Sequence, residues 1–187
     1  MNRSARNRGG PEIAVRRALS SDIAQLLTMN ELALPHVTSM SSDGLAHLLD
    51  VSSIALVVEE AGTPDHSPIG FCLVLGPGVD YQSVNYQWVM DRYEDALYLD
   101  RVVVDAHRRG QGVGQRIYAE VQRLMRSDWL QFPRLALEVN LDPPNPESLA
   151  FHRKLGFEPV GEQTTPYGAR VLLMAKHVLE GKTDDRA

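Results

Sequence analysis

The heptapeptide Arg108-Arg-Gly-Gln-Gly-Val-Gly114 constrains this chain more than any other stretch. It follows the β-branched run Val102-Val-Val104 and precedes Ile117, Tyr118, Val121, Leu124 and Met125, an apolar stripe at helical spacing. The local order is therefore strand, glycine turn, helix. Glycines let backbone N–H groups approach a ligand closely, and a helix start adds unpaired donors and the positive end of a dipole. Such a turn suits a phosphate group; the plainer reading is a solvated basic loop. A P-loop needs Lys and then Ser or Thr after its last glycine, whereas Gly114 is followed by Gln115-Arg116. A dinucleotide fingerprint would need glycine at Gln115 or Ile117. ATP, GTP and NAD are thereby disfavoured.

A second strand-to-helix unit follows. Leu135, Leu137 and Val139 alternate with polar or small residues, and Asn145-Pro146 reads as an N-cap with proline at the first helical position, the helix ending at Gly156. Upstream, residues 12–17 alternate as a strand before a helix that Ser21-Asp22 would cap. Residues 42–49 suit a second helix, and residues 54–59 and 69–75 a hairpin joined across 61–68. Residues 76–94 read as one long aromatic connection, the kind that is often functional. Residues 157–161 and 169–177 read as closing strands. The 187 residues suit one domain over 11–179, with a basic tail over 1–10 and a C-terminal tail over 180–187.

A net charge of -5 argues against nucleic acid as the main partner. No apolar run approaches a membrane span or signal-peptide length, so no membrane partner is expected. The single Cys72 excludes an intrachain disulfide and a multi-cysteine metal site and points to a reducing, cytoplasmic setting.

Arg109-Gly-Gln-Gly112-Val-Gly114 resembles the R/Q-x-x-G-x-G/A signature of the GNAT superfamily of N-acyltransferases. Asn145-Pro-Glu-Ser-Leu-Ala-Phe-His-Arg-Lys-Leu-Gly156-Phe157 resembles that family's N-x-x-A-x-x-x-Y-x-x-x-G-F segment, in the right order downstream. The resemblance covers roughly residues 13–178 in element order and is specific over 98–157. It implies an α/β (α+β) GNAT fold: a central mixed, mostly antiparallel twisted sheet of six or seven strands, flanked by about four helices and splayed at the acyl-CoA site. It also implies acetyl-CoA as donor, with no metal. The pyrophosphate would lie on the turn formed by Gly110, Gln111, Gly112, Val113, Gly114 and Gln115, with charge from Arg109 and Arg116. The edge at Val102, Val103 and Val104 would pair with the pantetheine arm, and Asn140, Asn145, Ser148 and Phe151 complete the expected donor site. Asn145 can equally be explained as an N-cap.

His152 stands where the family often has a tyrosine acid. It is a candidate acid or, alternatively, a buried helix residue with a satisfied ring. Asp100, which alternation puts in parity with Val102 and Val104, and Glu138 are candidate bases; the alternative for each is an ion pair, with Arg101 and Arg134 respectively. Tyr81, Trp88 and Tyr93 could form an acceptor lid, with Asn30 and Glu31 opposite, or could pack on the core or across a homodimer interface. The expected function is N-acetyl transfer to a primary amine, of a small molecule first. A silent CoA-binding sensor of the same fold and a binder of another phosphate are the alternatives.

Overall fold

The structure, a computed structural model, describes residues 13–60 and 67–178. The expected tails at 1–10 and 180–187 and most of the hairpin connection lie outside the described residues. The strands are β1 (Ile13–Arg17), β2 (Ile54–Glu60), β3 (Pro68–Leu75), β4 (Ala96–Val104), β5 (Arg134–Asp142), β6 (Glu158–Thr164) and β7 (Arg170–His177). The helices are α1 (Ile23–Leu32), α2 (Ser42–Val51), α3 (Val84–Met90), α4 (Val113–Asp128) and α5 (Pro146–Lys154).

All seven strands join one sheet in the order β1-β2-β3-β4-β5-β7-β6. Every neighbouring pair is antiparallel except β4 and β5, which run parallel. Alternating side chains leave the sheet on opposite faces, and each face is covered. On one side Leu56, Cys72, Leu97, Leu135 and Met174 meet Ile117, Tyr118, Val121 and Met125 of α4. On the other side Val57, Phe71, Leu73, Tyr98 and Leu173 meet Leu26 of α1, Leu45 and Leu48 of α2, and Tyr86 and Val89 of α3.

Simple alternation fails at one point in β4. Leu73 pairs with Arg101 but Val74 pairs with Leu99, so Asp100 is an extra residue opposite β3, a β-bulge. Leu97 and Leu99 consequently share a face with Val102 and Val104, and the expected parity of Asp100 with Val102 and Val104 does not hold. Two other expectations are corrected. Residues 76–94 contain α3, whose N-cap Ser83 accepts from the Tyr86 N–H at 3.3 Å; two turns are too short to display a helical period. Five α-helices result among the described residues, in keeping with the expected flank of about four. Asp22 does not cap α1 with its side chain, because its carboxylate is taken by the Arg16 guanidinium (2.8 and 2.9 Å) and the Leu19 N–H (2.8 Å).

β4 and β5 pair over only three positions, Ala96 with Arg134, Leu97 with Leu135 and Tyr98 with Ala136. Beyond them each strand keeps its outer partner, β3 and β7 respectively, while the two part from each other. The inner edges of β4 after Tyr98 and of β5 after Ala136 thus face a wedge with unpaired backbone groups. This is the splay that positions the site.

Gly161 of β6 shows how tightly the aromatic segment is seated. A Cβ there would lie 2.5 Å from Cζ2 of Trp88, so the indole must move to admit it. Gly161→Ala is expected to destabilise the fold by about 1–3 kcal/mol, the usual range for overpacking, read as a lower urea midpoint at unchanged slope. An unchanged midpoint would show that Trp88 is loosely held.

Candidate functional site

A continuous cleft of about 1800 Å³ runs through the wedge. Leu99 to Val104 of β4 and Leu137 to Asn140 of β5 form its inner walls, the glycine turn closes one end, and loop 33–40 with the β6–β7 turn borders the other.

The turn is built as the sequence reads. Gly110 and Gly112 have φ of 75° and 85°, conformations that favour glycine. Gly112 is the N-cap of α4, and the first-turn N–H groups of Val113, Gly114 and Gln115 have no acceptor within the helix. A Cβ on Gly114 would sit 3.0 Å from Cζ of Phe151, so this glycine lets α5 pack on the start of α4. The two sequence motifs therefore touch. Arg109, Gly110, Gly112, Val113, Gly114 and Gln115 line the cleft, as do Val102, Val103, Val104, Asn140, Asn145, Ser148 and Phe151. Gln111 does not; its side chain turns back to donate to the His107 carbonyl at 2.9 Å. Asn145 is an N-cap, its Oδ1 accepting from the Ser148 N–H at 3.2 Å.

His152 is 3% exposed and enclosed by the rings of Tyr118, Phe151 and Phe157. Its Nδ1 lies 2.8 Å from the Ser148 carbonyl, which can only accept, so Nδ1 carries the hydrogen. Nε2 then accepts from the Tyr118 hydroxyl at 2.6 Å. Burial pulls the imidazole pKa down to about 4, against a smaller opposing effect of the Ser148 carbonyl. At neutral pH the ring is uncharged with both nitrogens engaged, an arrangement that fits the satisfied-ring reading and leaves no imidazolium to act as an acid.

The candidate bases meet different fates. Glu138 shares the Tyr98 face of the sheet and accepts a short hydrogen bond from the Tyr98 hydroxyl. Arg134 is not its partner, being paired with Asp95 at 3.1 Å. Burial raises the Glu138 carboxyl to about 7, and the nearby Asp100 charge adds to the rise. Asp100 lies at the bulge with its Oδ2 3.1 Å from Arg101 Nε, an ion contact without hydrogen-bond alignment. Burial raises its pKa too, opposed by the Arg101 cation and by the Tyr81 hydroxyl that faces it.

Of the residues expected to form an acceptor lid, Tyr81 lines the cleft but Trp88 and Tyr93 do not. Trp88 packs over Gly161 and under Arg92, and Tyr93 lies beneath the Arg134 guanidinium, both within this chain. Asn30 and Glu31 also fall outside the lining; buried Asn30 and half-buried Glu31 both hydrogen-bond loop 33–40. Three participants carry little or no mark in the sequence. Tyr118 bonds His152, Thr38 borders the cleft, and Tyr167, 65% exposed, projects from the β6–β7 turn; only the Thr-Pro-Tyr-Gly turn signal draws attention to the last. Cys72 is a packing residue, its thiol pushed up to about 12 by burial.

The pKa of His152 sets a stability window. A neutral buried histidine must be charged on acidification, so its contribution is intact above the ordinary histidine value of about 6.5 and is lost as pH falls through about 4. Ring-proton NMR is expected to give His152 a midpoint near 4; a midpoint near 6.5 would mean that the ring is hydrated.

The acetyltransferase (GNAT) family model matches residues 26–157. Among solved structures, Ard1 from Thermoplasma volcanium is similar, with a TM-score of 0.71 at 19% identity over 90% of this chain and 99% of that one. The ribosomal-protein-S18-alanine N-acetyltransferase from Escherichia coli gives 0.66 at 15% identity, covering 94% and 99%. YncA from Salmonella typhimurium with its cofactor acetyl-CoA gives 0.64 at 18% identity, covering 94% and 99%. At these identities the likeness is one of fold. No curated protein matches the sequence.

Proposed function

The chain belongs to the GNAT acetyltransferase family, and from that premise we propose that it is an acetyl-CoA-dependent N-acetyltransferase acting on a primary amine in a ternary complex. The observation that carries this reading is the wedge between β4 and β5, with a glycine-rich helix N-terminus at one end and Glu138 on its wall. The residues present suit acetyl-CoA. The N–H groups of Val113, Gly114 and Gln115 would hold its pyrophosphate, with Arg109 beside them, and the free edge at Val102, Val103 and Val104 would take the pantetheine arm as an added strand. Bound there, acetyl-CoA supplies an activated thioester carbonyl.

In this reading Glu138 takes the proton from the acceptor ammonium, directly or through water. A carboxyl near 7 is matched to neutral pH, where a base is strong enough to accept a proton and still about half ionised. Tyr98 orients it by a hydrogen bond, and the neighbouring Asp100 charge adds to the rise of its pKa. His152 packs the two motif helices together. The proposed setting is cytoplasmic, consistent with a lone buried cysteine; among the described residues no helix is long and apolar enough to cross a membrane.

The acceptor proposed first is a small amine. Because similar structures include a ribosomal-protein-alanine acetyltransferase, peptide amino termini belong in the same panel. Isothermal titration is expected to show binding of acetyl-CoA and CoA but not ATP, followed by thiol release with at least one amine. Binding without release from any acceptor would favour the silent CoA-binding sensor. The pH profile of kcat should rise on its acidic limb with a midpoint near 7. Glu138→Gln should abolish that limb and lower kcat by about a hundredfold or more, with acetyl-CoA affinity preserved. A variant that retains the limb would remove Glu138 from the mechanism.

A further inference from the structure

Arg101 follows the bulge in β4 and is 3% exposed, a burial that charged side chains tolerate only when paired and hydrogen-bonded. Its hydrogen-bond acceptors lie at the end of α1 and on loop 33–40. Nη1 donates to Asn30 Oδ1 at 2.6 Å and to the Thr38 carbonyl at 2.9 Å, and Nη2 donates to Thr38 Oγ1 at 2.8 Å. Nε faces Asp100 across 3.1 Å. One planar guanidinium thus joins the strand at the centre of the wedge to loop 33–40, which borders the cleft.

The groups around it complete the attachment. Asn30 Nδ2 donates to Glu31 Oε1 and to the Thr38 carbonyl, both at 3.0 Å, which leaves Oδ1 free to accept from Arg101. Glu31 in turn accepts from Ser39 Oγ at 2.8 Å and the Met40 N–H at 3.2 Å. Across the cleft mouth, Asn140 Nδ2 of β5 reaches the Pro35 carbonyl at 3.3 Å. Residues 33–41 form no helix or strand; the loop is held by packing of Ala33, Val37 and Met40 on the core and by these polar bonds, of which Arg101 supplies two, both to Thr38.

We propose that Arg101 is a positioning residue for acceptor selection: it fixes loop 33–40 against the bulge and so sets the distance between the acceptor wall and the strand that would present the thioester. This rests on the acetyltransferase reading of the cleft. The fork of the guanidinium is required, because a lysine ammonium keeps the charge beside Asp100 but offers donors from a single atom and cannot span Asn30 Oδ1, the Thr38 carbonyl and Thr38 Oγ1 together.

The test uses the full chain with two variants. Arg101→Lys removes the fork and keeps the charge; Thr38→Val removes one acceptor at an exposed position and spares the buried strand. Hydrogen–deuterium exchange of residues 33–40 is expected to quicken by about tenfold or more in Arg101→Lys, as when a local opening becomes easier by roughly one decade, and by less in Thr38→Val. Exchange in α4 and titrated acetyl-CoA affinity should stay within about twofold. Exchange in the loop that does not change, or that rises equally everywhere, overturns the proposal. With the amine that the wild-type chain turns over, KM for the amine should rise about fivefold or more while KM for acetyl-CoA holds; a parallel rise in both, or in neither, also overturns it. If the wild-type chain binds acetyl-CoA and acetylates nothing, the acetyltransferase reading falls and takes the acceptor role with it, whereas quickened exchange beside normal wild-type turnover and an unmoved amine KM sinks the positioning role alone.

Discussion

β4 and β5 are joined by three residue pairs and then separate, and the rest of the molecule is arranged around that short ladder. A parallel pair between two antiparallel halves forces a crossover, which α4 provides, so the glycine turn necessarily lies where β4 ends. Because β4 stays paired to β3 and β5 to β7, the wedge opens without leaving either strand unsupported. Beyond the short ladder the backbone groups on the two inner edges have no strand partner, and they face the cleft.

The two motif helices are tied together at the side of that wedge. Gly114 on α4 leaves room for Phe151 on α5, and Tyr118 one turn further along α4 bonds His152. Each residue type follows from its neighbour: a larger residue at 114 would push α5 away, and an unpaired imidazole at 152 would be a polar group buried without a partner. On the opposite face of the sheet the polar groups are kept for another purpose. Asp100, Arg101 and Glu138 are brought into range of one another by the bulge, with Arg101 moderating Asp100 and Asp100 raising Glu138.

Much of this architecture is legible in the amino-acid sequence. The glycine turn, the N-cap at Asn145, the helix stop at Gly156, the hairpin of β2 and β3 and the splayed mixed sheet all match expectation, because each depends on residues close together in sequence or on two motifs in fixed order. The acceptor side is far less legible. Aromatic residues in a long connection suggest a lid, yet α3 folds that connection and turns Trp88 and Tyr93 against other elements of this chain. Asn30 and Glu31, expected on a wall of the acceptor site, hydrogen-bond loop 33–40 instead of lining the cleft.

By itself the sequence determined where backbone N–H groups would be left unpaired for an anion and which stripes would pack, since helix periodicity, capping and glycine's freedom at positive φ are local properties. Only the tertiary structure decided which ionisable groups meet. A single extra residue at Asp100 shifts the parity of β4, and with it the partners of Arg101, the environment of Glu138 and the distance between strand and loop. That information is non-local: a bulge is defined by the strand it faces, and a pKa by the charges and the solvent that the fold brings near or shuts out.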